Sequence, residues 1–181
     1  MINARSIHHC RVCGAPTEYR MPPDDNRDRA VCTVCETVHY ENPLNVVGTV
    51  PVWEGRVLLC RRNIEPRRGF WTLPAGFMEL GETTEQGAIR ETVEEAGAEI
   101  ELEPLFTVLN VVHVGQVHFY YRARMLSDKL DPGPETIEAQ LFDEAEVPWH
   151  ELAFKTVRST LEHFFADRRA GQFRIHTADI A

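Results

Sequence analysis

Residues 76–97 read Gly76-FMELGETTEQGAIRETVEEA-Gly97, and the spacing of the glycines, threonines and glutamates in this stretch decides the fold around it. Gly76 marks a turn, and a loop runs from it to Glu82. Thr83 followed three residues later by Gln86 fits a capping box, so a helix is predicted to start at Thr83. Gly97, just past the periodic run, is a helix stop. Successive helical residues step by about 100°. With Glu91 at zero, Glu94 falls at about −60° and Glu95 at about +40°, so three carboxylates share one face. Ile89, Val93 and Ala96 fall on the opposite face and are expected to seat the helix against a core.

Like charges three and four residues apart repel and lower helicity slightly. One reason to crowd them is to hold divalent cations through oxygen ligands. Glu82 is brought to the same cluster by the loop. Taken alone, three glutamates read more readily as a solvated acidic helix face. The surrounding residues decide between the two. Gly76, Glu82, Arg90, Glu91, Glu94, Glu95 and Gly97 all occupy their positions in the pattern G-x5-E-x7-R-E-U-x-E-E-x-G-U, where U is a bulky aliphatic residue. The segment therefore resembles the Nudix box. Thr92 and Ala98 depart from it at U positions, which affects packing rather than chemistry, with Val93 and Ile100 available to supply apolar surface.

The chain has 181 residues, suiting one sizeable domain plus a small appendage. A net charge of −9 excludes broad electrostatic binding to nucleic acid or acidic membranes. An acidic protein acting on phosphates needs metal ions to neutralise both parties. No apolar run is long enough to span a bilayer, and MINARSIHHCRVCG at the start has no secretory apolar region, so a reducing, cytoplasmic setting is expected.

Residues 1–41 read as a separate unit. Cys10-RV-Cys13 and Cys32-TV-Cys35 are two Cys-x-x-Cys pairs separated by eighteen residues, the spacing of a zinc ribbon. Thiolate coordination of Zn²⁺ lets a segment too small for an apolar core fold. Two disulfides are the rival reading, disfavoured without a secretory context. With four cysteines closing the site, His8, His9 and His39 are expected beside it or on the surface, and the zinc is structural. Cys60 lies in the apolar run Val57-Leu-Leu-Cys60 and reads as a buried core thiol.

The second unit, residues 42–181, begins with a hairpin: Val46 to Val52, a turn at Glu54-Gly55, then Arg56 to Arg61. Arg61 to Arg68 is a basic loop in an acidic protein. It is either a solvated loop or a substrate-phosphate contact, with Arg61 and Arg62 the candidates. Glu99 to Leu102, Leu105 to Val114 and Gln116 to Met125 read as strands, the last with Val117, Phe119 and Tyr121 alternating against His118, Tyr120 and Arg122. Residues 131–138 read as a loop and Ala139 to Phe142 as a short strand. A helix is predicted from about Glu151 to Arg169, and an extended tail from Gln172 to Ile180. Pattern alone gives an α+β fold. The resemblance implies the Nudix α/β/α sandwich with a mixed sheet, preceded by the zinc ribbon.

It also implies hydrolysis of a nucleoside diphosphate linked to another moiety, with Mg²⁺ or Mn²⁺. Glu91 and Glu95 would ligate the metal, with Glu94 and the backbone carbonyl of Gly76 or Ala75. Arg90 would hold the carboxylates in place, and Glu82 would orient the site. The general base would be Glu91 or Glu94, or else Glu138, which resembles a post-strand glutamate that completes the metal site in zinc-ribbon Nudix enzymes. Glu135 is its nearby competitor. Phe77 matches an aromatic that stacks on a base in relatives; a core phenylalanine is the other reading.

A zinc ribbon before a Nudix domain is the layout of the NADH pyrophosphatases, but their signature S-Q-P-W-P-F-P-x-S is absent from the stretch Val108 to His118. The runs Tyr40-Glu-Asn-Pro, Trp71-Thr-Leu-Pro-Ala-Gly-Phe, Gly133-Pro-Glu and Leu152-Ala-Phe154 resemble a branch acting on FAD and ADP-ribose. A small-molecule nucleotide substrate and a homodimer are the implied partners, with a capped RNA 5′ end the one nucleic acid in view. The alternatives are hydrolysis of NADH or NAD-capped RNA, and a non-catalytic sensor of ADP-ribose.

Overall fold

Four thiols stand in for an apolar core in the first of two units. The computed structural model describes residues 7–181, which divide between Pro43 and Leu44. In the first unit β1 (Thr17–Arg20), β2 (Arg29–Cys32) and β3 (Val38–His39) form an antiparallel sheet in that order. Its buried apolar residues are few, chiefly Ala30 and Val31 beside Cys10 and Cys32. Asp25 accepts from Arg29 Nε at 3.0 Å, fixing the polar loop that leads into β2.

The second unit is built on one mixed sheet, ordered β10-β5-β4-β9-β8-β11. β4 (Leu44–Trp53) and β5 (Arg56–Arg62) form the expected hairpin; Glu54 (φ 48°) and Gly55 (φ 82°) supply the two left-handed turn residues it needs. β6 (Trp71–Thr72) pairs with β5, and β7 (Ala75–Phe77) pairs with β4. β8 (Ile100–Val111) is antiparallel to β9 (Gln116–Met125), and β9 is parallel to β4. β10 (Thr136–Phe142) closes one edge and β11 (His176–Asp179), parallel to β8, closes the other.

Two helices cover opposite faces. α2 (Lys155–Ala170) packs Val157, Leu161, Phe164 and Phe165 on a cluster with Val50, Leu59, Trp71, Phe106 and Tyr120. α1 (Thr84–Ala96) lies on the alternate residues: Ala88 with Val47 and Tyr121, Ala96 with Leu58 and Cys60. This is the period-two alternation of strands buried on both faces. Cys60 is a buried core thiol, as its sequence context indicates.

The face on which α1 sits corrects the sequence reading. Ile89 and Val93 are 37% and 48% exposed, whereas Gly87, Ala88, Glu91, Thr92, Glu95 and Ala96 are buried. Small residues, not large apolar ones, let this helix approach the sheet: a Cβ on Gly87 would lie 2.8 Å from Val47 Cγ2. Nor does Val93 supply apolar surface for Thr92. The Thr92 hydroxyl meets Thr49 Oγ1 at 2.7 Å and donates to Ala88 O at 2.8 Å. Thr92→Val leaves the Thr49 hydroxyl buried and unpaired, and is expected to cost about 1–3 kcal/mol. The double change Thr49→Val/Thr92→Val should recover most of that loss in urea unfolding, although the family pattern places an aliphatic residue at position 92.

Three further differences have local causes. β8 is one strand rather than two, because register shifts between Leu102 and Thr107 absorb Pro104. β10 begins three residues early, at Thr136, so Glu138 lies on a strand opposite Arg61 rather than in a loop. α2 starts at Lys155 after a separate turn of 3-10 helix at Trp149–Glu151.

Candidate active site and zinc centre

The capping box forms as read, with Gln86 N donating to Thr83 Oγ1 and Thr83 N to Gln86 Oε1, and Gly97 ends α1 in the left-handed conformation. This fixes the helix so that Glu91 and Glu95 face β7. Gly76 leaves room for Glu91 there, since a Cβ would lie 2.3–2.4 Å from the Glu91 carboxylate and displace it. Ala75 N donates to Glu95 Oε2 at 3.1 Å.

Arg90 organises the other carboxylates. Its Nε and Nη2 grip both oxygens of Glu82 at 3.0 and 2.8 Å, Nη1 reaches Glu91 at 2.7 Å and Glu94 at 3.1 Å, and Nη2 also reaches Phe77 O at 3.2 Å. All five N–H donors are used. Hydrogen bonds from Arg90 and from Glu79 N hold the Glu82 carboxyl down at about 2, so it stays ionised. Glu91 and Glu95 behave oppositely. Burial raises the Glu91 carboxyl, and burial together with the charges of Glu91 and Glu135 pushes Glu95 up to about 8, against the Ala75 N–H and Arg62. Glu91 and Glu95 are 9% and 8% exposed. Two buried carboxylates with only part of one guanidinium to neutralise them favour a bound cation.

Glu135 enters this field because its loop is clamped to the end of α1. Asp131 N donates to Ala96 O at 2.9 Å, and a Cβ on Gly133 would fall 2.1 Å from Glu94 O. Glu138 is instead paired with Arg61 Nη1 at 2.9 Å, and Arg61 Nε donates to Gly69 O. Arg62 donates to Pro66 O, stands over the Phe154 ring at 5.1 Å, and its charge acts on Glu95. Phe77 is half exposed. The charge of Glu135 is among those that raise the Glu91 and Glu95 carboxyls.

In the first unit, the Sγ atoms of Cys10, Cys13, Cys32 and Cys35 all lie within 4.8 Å of one another. Neighbouring sulfurs are 3.4–3.6 Å apart. A tetrahedron of Zn–S bonds has an edge of about 3.8 Å, and a disulfide is about 2.05 Å. All four are free thiols, so the disulfide reading falls and the donor set fits zinc. Backbone N–H groups of Cys35 and Val34 point at Cys32 Sγ and lower its pKa, while hydrogen bonding to Thr37 leads the set that lowers Cys35 to about 6. Both shifts favour the thiolate, whereas Cys13, against a backbone hydrogen bond with Ala15 that lowers it, is pushed up to about 12 by hydrogen bonding to Cys32 and Cys35. His8 and His9 are exposed; His39 is buried on β3. Among the described residues no helix is long and apolar enough to cross a membrane.

Residues 43–167 match the family described as NUDIX domain, and residues 8–41 match the one described as Nudix N-terminal, a zinc ribbon. The crystal structure of a NUDIX hydrolase from Nitrosomonas europaea aligns with a TM-score of 0.93 and 44% identity, covering 96% of this chain and 99% of that one. An ADP-ribose pyrophosphatase of Methanocaldococcus jannaschii is 31% identical over 121 residues, which are 64% of this chain and 69% of the relative. The NAD-capped RNA hydrolase NudC of Salmonella typhi is 33% identical over 97 residues, covering 54% of this chain but only 36% of that protein. The box read at residues 76–97, the mixed sheet between two helices and the cysteine cluster agree with these matches: the chain belongs to the Nudix hydrolases and is an enzyme of that family with an N-terminal zinc ribbon.

Proposed function

We propose that this protein is a divalent-cation-dependent pyrophosphatase that hydrolyses the diphosphate of ADP-ribose or FAD. Water adds to one phosphorus and the P–O–P bridge breaks, giving AMP with ribose 5-phosphate or FMN. The observation that carries this reading is the buried pair Glu91 and Glu95 on one side of α1, facing the backbone of Ala75 and Gly76. Both carboxylates, with Glu94 and a carbonyl of Gly76 or Ala75, would hold Mg²⁺ or Mn²⁺. When bound, the cation neutralises phosphate charge and acidifies the attacking water. Glu135 supplies the outer carboxylate in preference to Glu138, and Arg62 offers its guanidinium to the substrate diphosphate. The Methanocaldococcus relative supports ADP-ribose as substrate. The full set of box glutamates speaks against a non-catalytic sensor. Hydrolysis of NAD-capped RNA is the second reading, favoured by the Salmonella relative. A cytoplasmic homodimer completes the proposal, in line with four free thiols and the resemblance.

Arg90 is a positioning residue in this scheme. Arg90→Lys keeps the charge but cannot span five acceptors. It is expected to lower kcat about 10- to 100-fold and to raise the Mn²⁺ concentration needed for half-maximal rate, measured by initial rates across a metal titration.

The activity itself is tested by incubating zinc-loaded protein with Mg²⁺ or Mn²⁺ and ADP-ribose, FAD, NADH or NAD-capped RNA, and separating the products. AMP from ADP-ribose or FAD is expected. Exclusive turnover of the capped RNA would favour the second reading, and no turnover of any substrate would overturn both.

A further inference from the structure

The strand register places His118, which has a buried and unpaired ring nitrogen, in one row with Phe77, on the far side of the strand between them. Val46 on β4 is opposite Phe77 on β7 and opposite His118 on β9, so the three side chains stand in one row on one face. That face is the α2 side of the sheet. Ala75, two residues from Phe77, packs on the α2 cluster, as do Val50, four from Val46, and Tyr120, two from His118. The rings of His118 and Tyr120 are 6.3 Å apart. Strands lie about 4.8 Å apart, so Phe77 and His118 flank a strip roughly 10 Å wide floored by Val46. Phe77 is 53% exposed; His118 is 8% exposed.

His118 is a defined acceptor. Burial holds its pKa down at about 4, so the ring is neutral at physiological pH. A neutral imidazole has one donor and one acceptor nitrogen. Nε2 lies 2.9 Å from Gln116 Oε1, an acceptor, so Nε2 carries the proton. Nδ1 then presents a lone pair, and it is buried without a hydrogen-bond partner among the described residues. An unpaired buried acceptor is costly, and a donor brought by a ligand would relieve it.

We propose that His118 Nδ1 accepts from the exocyclic amino group of an adenine lying across Val46 against Phe77, and so determines which base the enzyme takes. This rests on the substrate class proposed above and names the part of the substrate that is read. Hypoxanthine carries a carbonyl oxygen where adenine carries its amine, and would set two acceptors against each other. His118→Phe removes the acceptor and keeps an aromatic ring, whereas His118→Gln restores an acceptor oxygen.

The test is calorimetric binding of AMP and of IMP to zinc-loaded protein, with melting temperatures of each variant. The parent protein should prefer AMP by about 10- to 100-fold, the worth of one buried hydrogen bond. His118→Phe should bring the ratio close to unity, and His118→Gln should recover part of it. In the parent, the ¹⁵N resonance of His118 Nδ1 should move on adding AMP and not IMP, a readout that needs no variant. Equal binding of the two nucleotides by the parent, no AMP binding, or an unchanged preference in folded His118→Phe would each overturn the proposal. Because binding needs no turnover, a protein that prefers AMP in this way yet hydrolyses no ADP-ribose would keep this inference and lose the proposed activity.

Discussion

Glu95→Gln is expected to lower kcat by roughly a thousandfold and, in protein free of divalent cations, to raise the melting temperature at alkaline pH. The activity loss follows from removing one of two buried carboxylates proposed to hold the cation, whose charge stabilisation is worth several kcal/mol at about 1.4 kcal/mol per tenfold in rate. The stability gain has the same origin. Glutamine keeps an oxygen for Ala75 N–H but carries no charge into a site where burial, Glu91 and Glu135 all oppose ionisation. The folded carboxyl titrates near 8, above an unfolded value of about 4.3, so the folded state holds its proton more tightly across that window. The stability from Glu95 is therefore fully present below about 4.3 and is lost as pH rises through 8. The variant should melt about 10 °C higher than the parent at pH 9, and only a few degrees higher at pH 5, just above the unfolded pKa. Mn²⁺ should raise the melting temperature of the parent and leave the variant almost unmoved. A variant that melts below the parent at pH 9 would show that the Glu95 charge is already neutralised within the fold.

Loss of zinc is expected to have the second large effect. Few buried apolar side chains stand between β1, β2 and β3, so the first unit depends on the four thiolates. Structural zinc contributes about 10–16 kcal/mol in small modules of this kind. Cys32→Ser, at the buried end of β2, should abolish stoichiometric zinc and expose residues 8–41 to proteolysis. Among the described residues, the core of the second unit begins at Val46, so a protected fragment from about Leu44 should survive. Continued protection of residues 8–41 after complete zinc removal would contradict this. Because Cys13 and Cys35 are exposed, a chelator should reach the site without unfolding the second unit.

Features set by neighbours in the chain were legible in the sequence. Thr83, Gln86 and Gly97 define the ends of α1 through contacts within a few residues, and Glu54-Gly55 defines a hairpin through backbone conformation. Features set by partners far apart in the chain were not. An amphipathic reading assigns the buried face of α1 to Ile89 and Val93, but Gly76 and Gly87 open space for Glu91 and the sheet on the other side. Pairing of Arg61 with Glu138 joins residues 77 apart, and it depends on β10 starting at Thr136, which the Pro and Gly run before it obscures. The charge of Glu135 acts on the box carboxylates from a loop that Gly133 lets press on Glu94 O. The alternation of His118 with Tyr120 was visible; the proton on its Nε2 depends on Gln116, and its place in one row with Phe77 on the register of three strands.

The most direct measurement is an electron paramagnetic resonance titration of Mn²⁺ into zinc-loaded parent, Glu95→Gln and Glu138→Gln proteins. Saturable Mn²⁺ binding is expected in the parent, to be lost in Glu95→Gln and kept in Glu138→Gln, whose carboxylate is engaged by Arg61. Equal Mn²⁺ binding by parent and Glu95→Gln would contradict the assignment of the α1 carboxylates as the cation site.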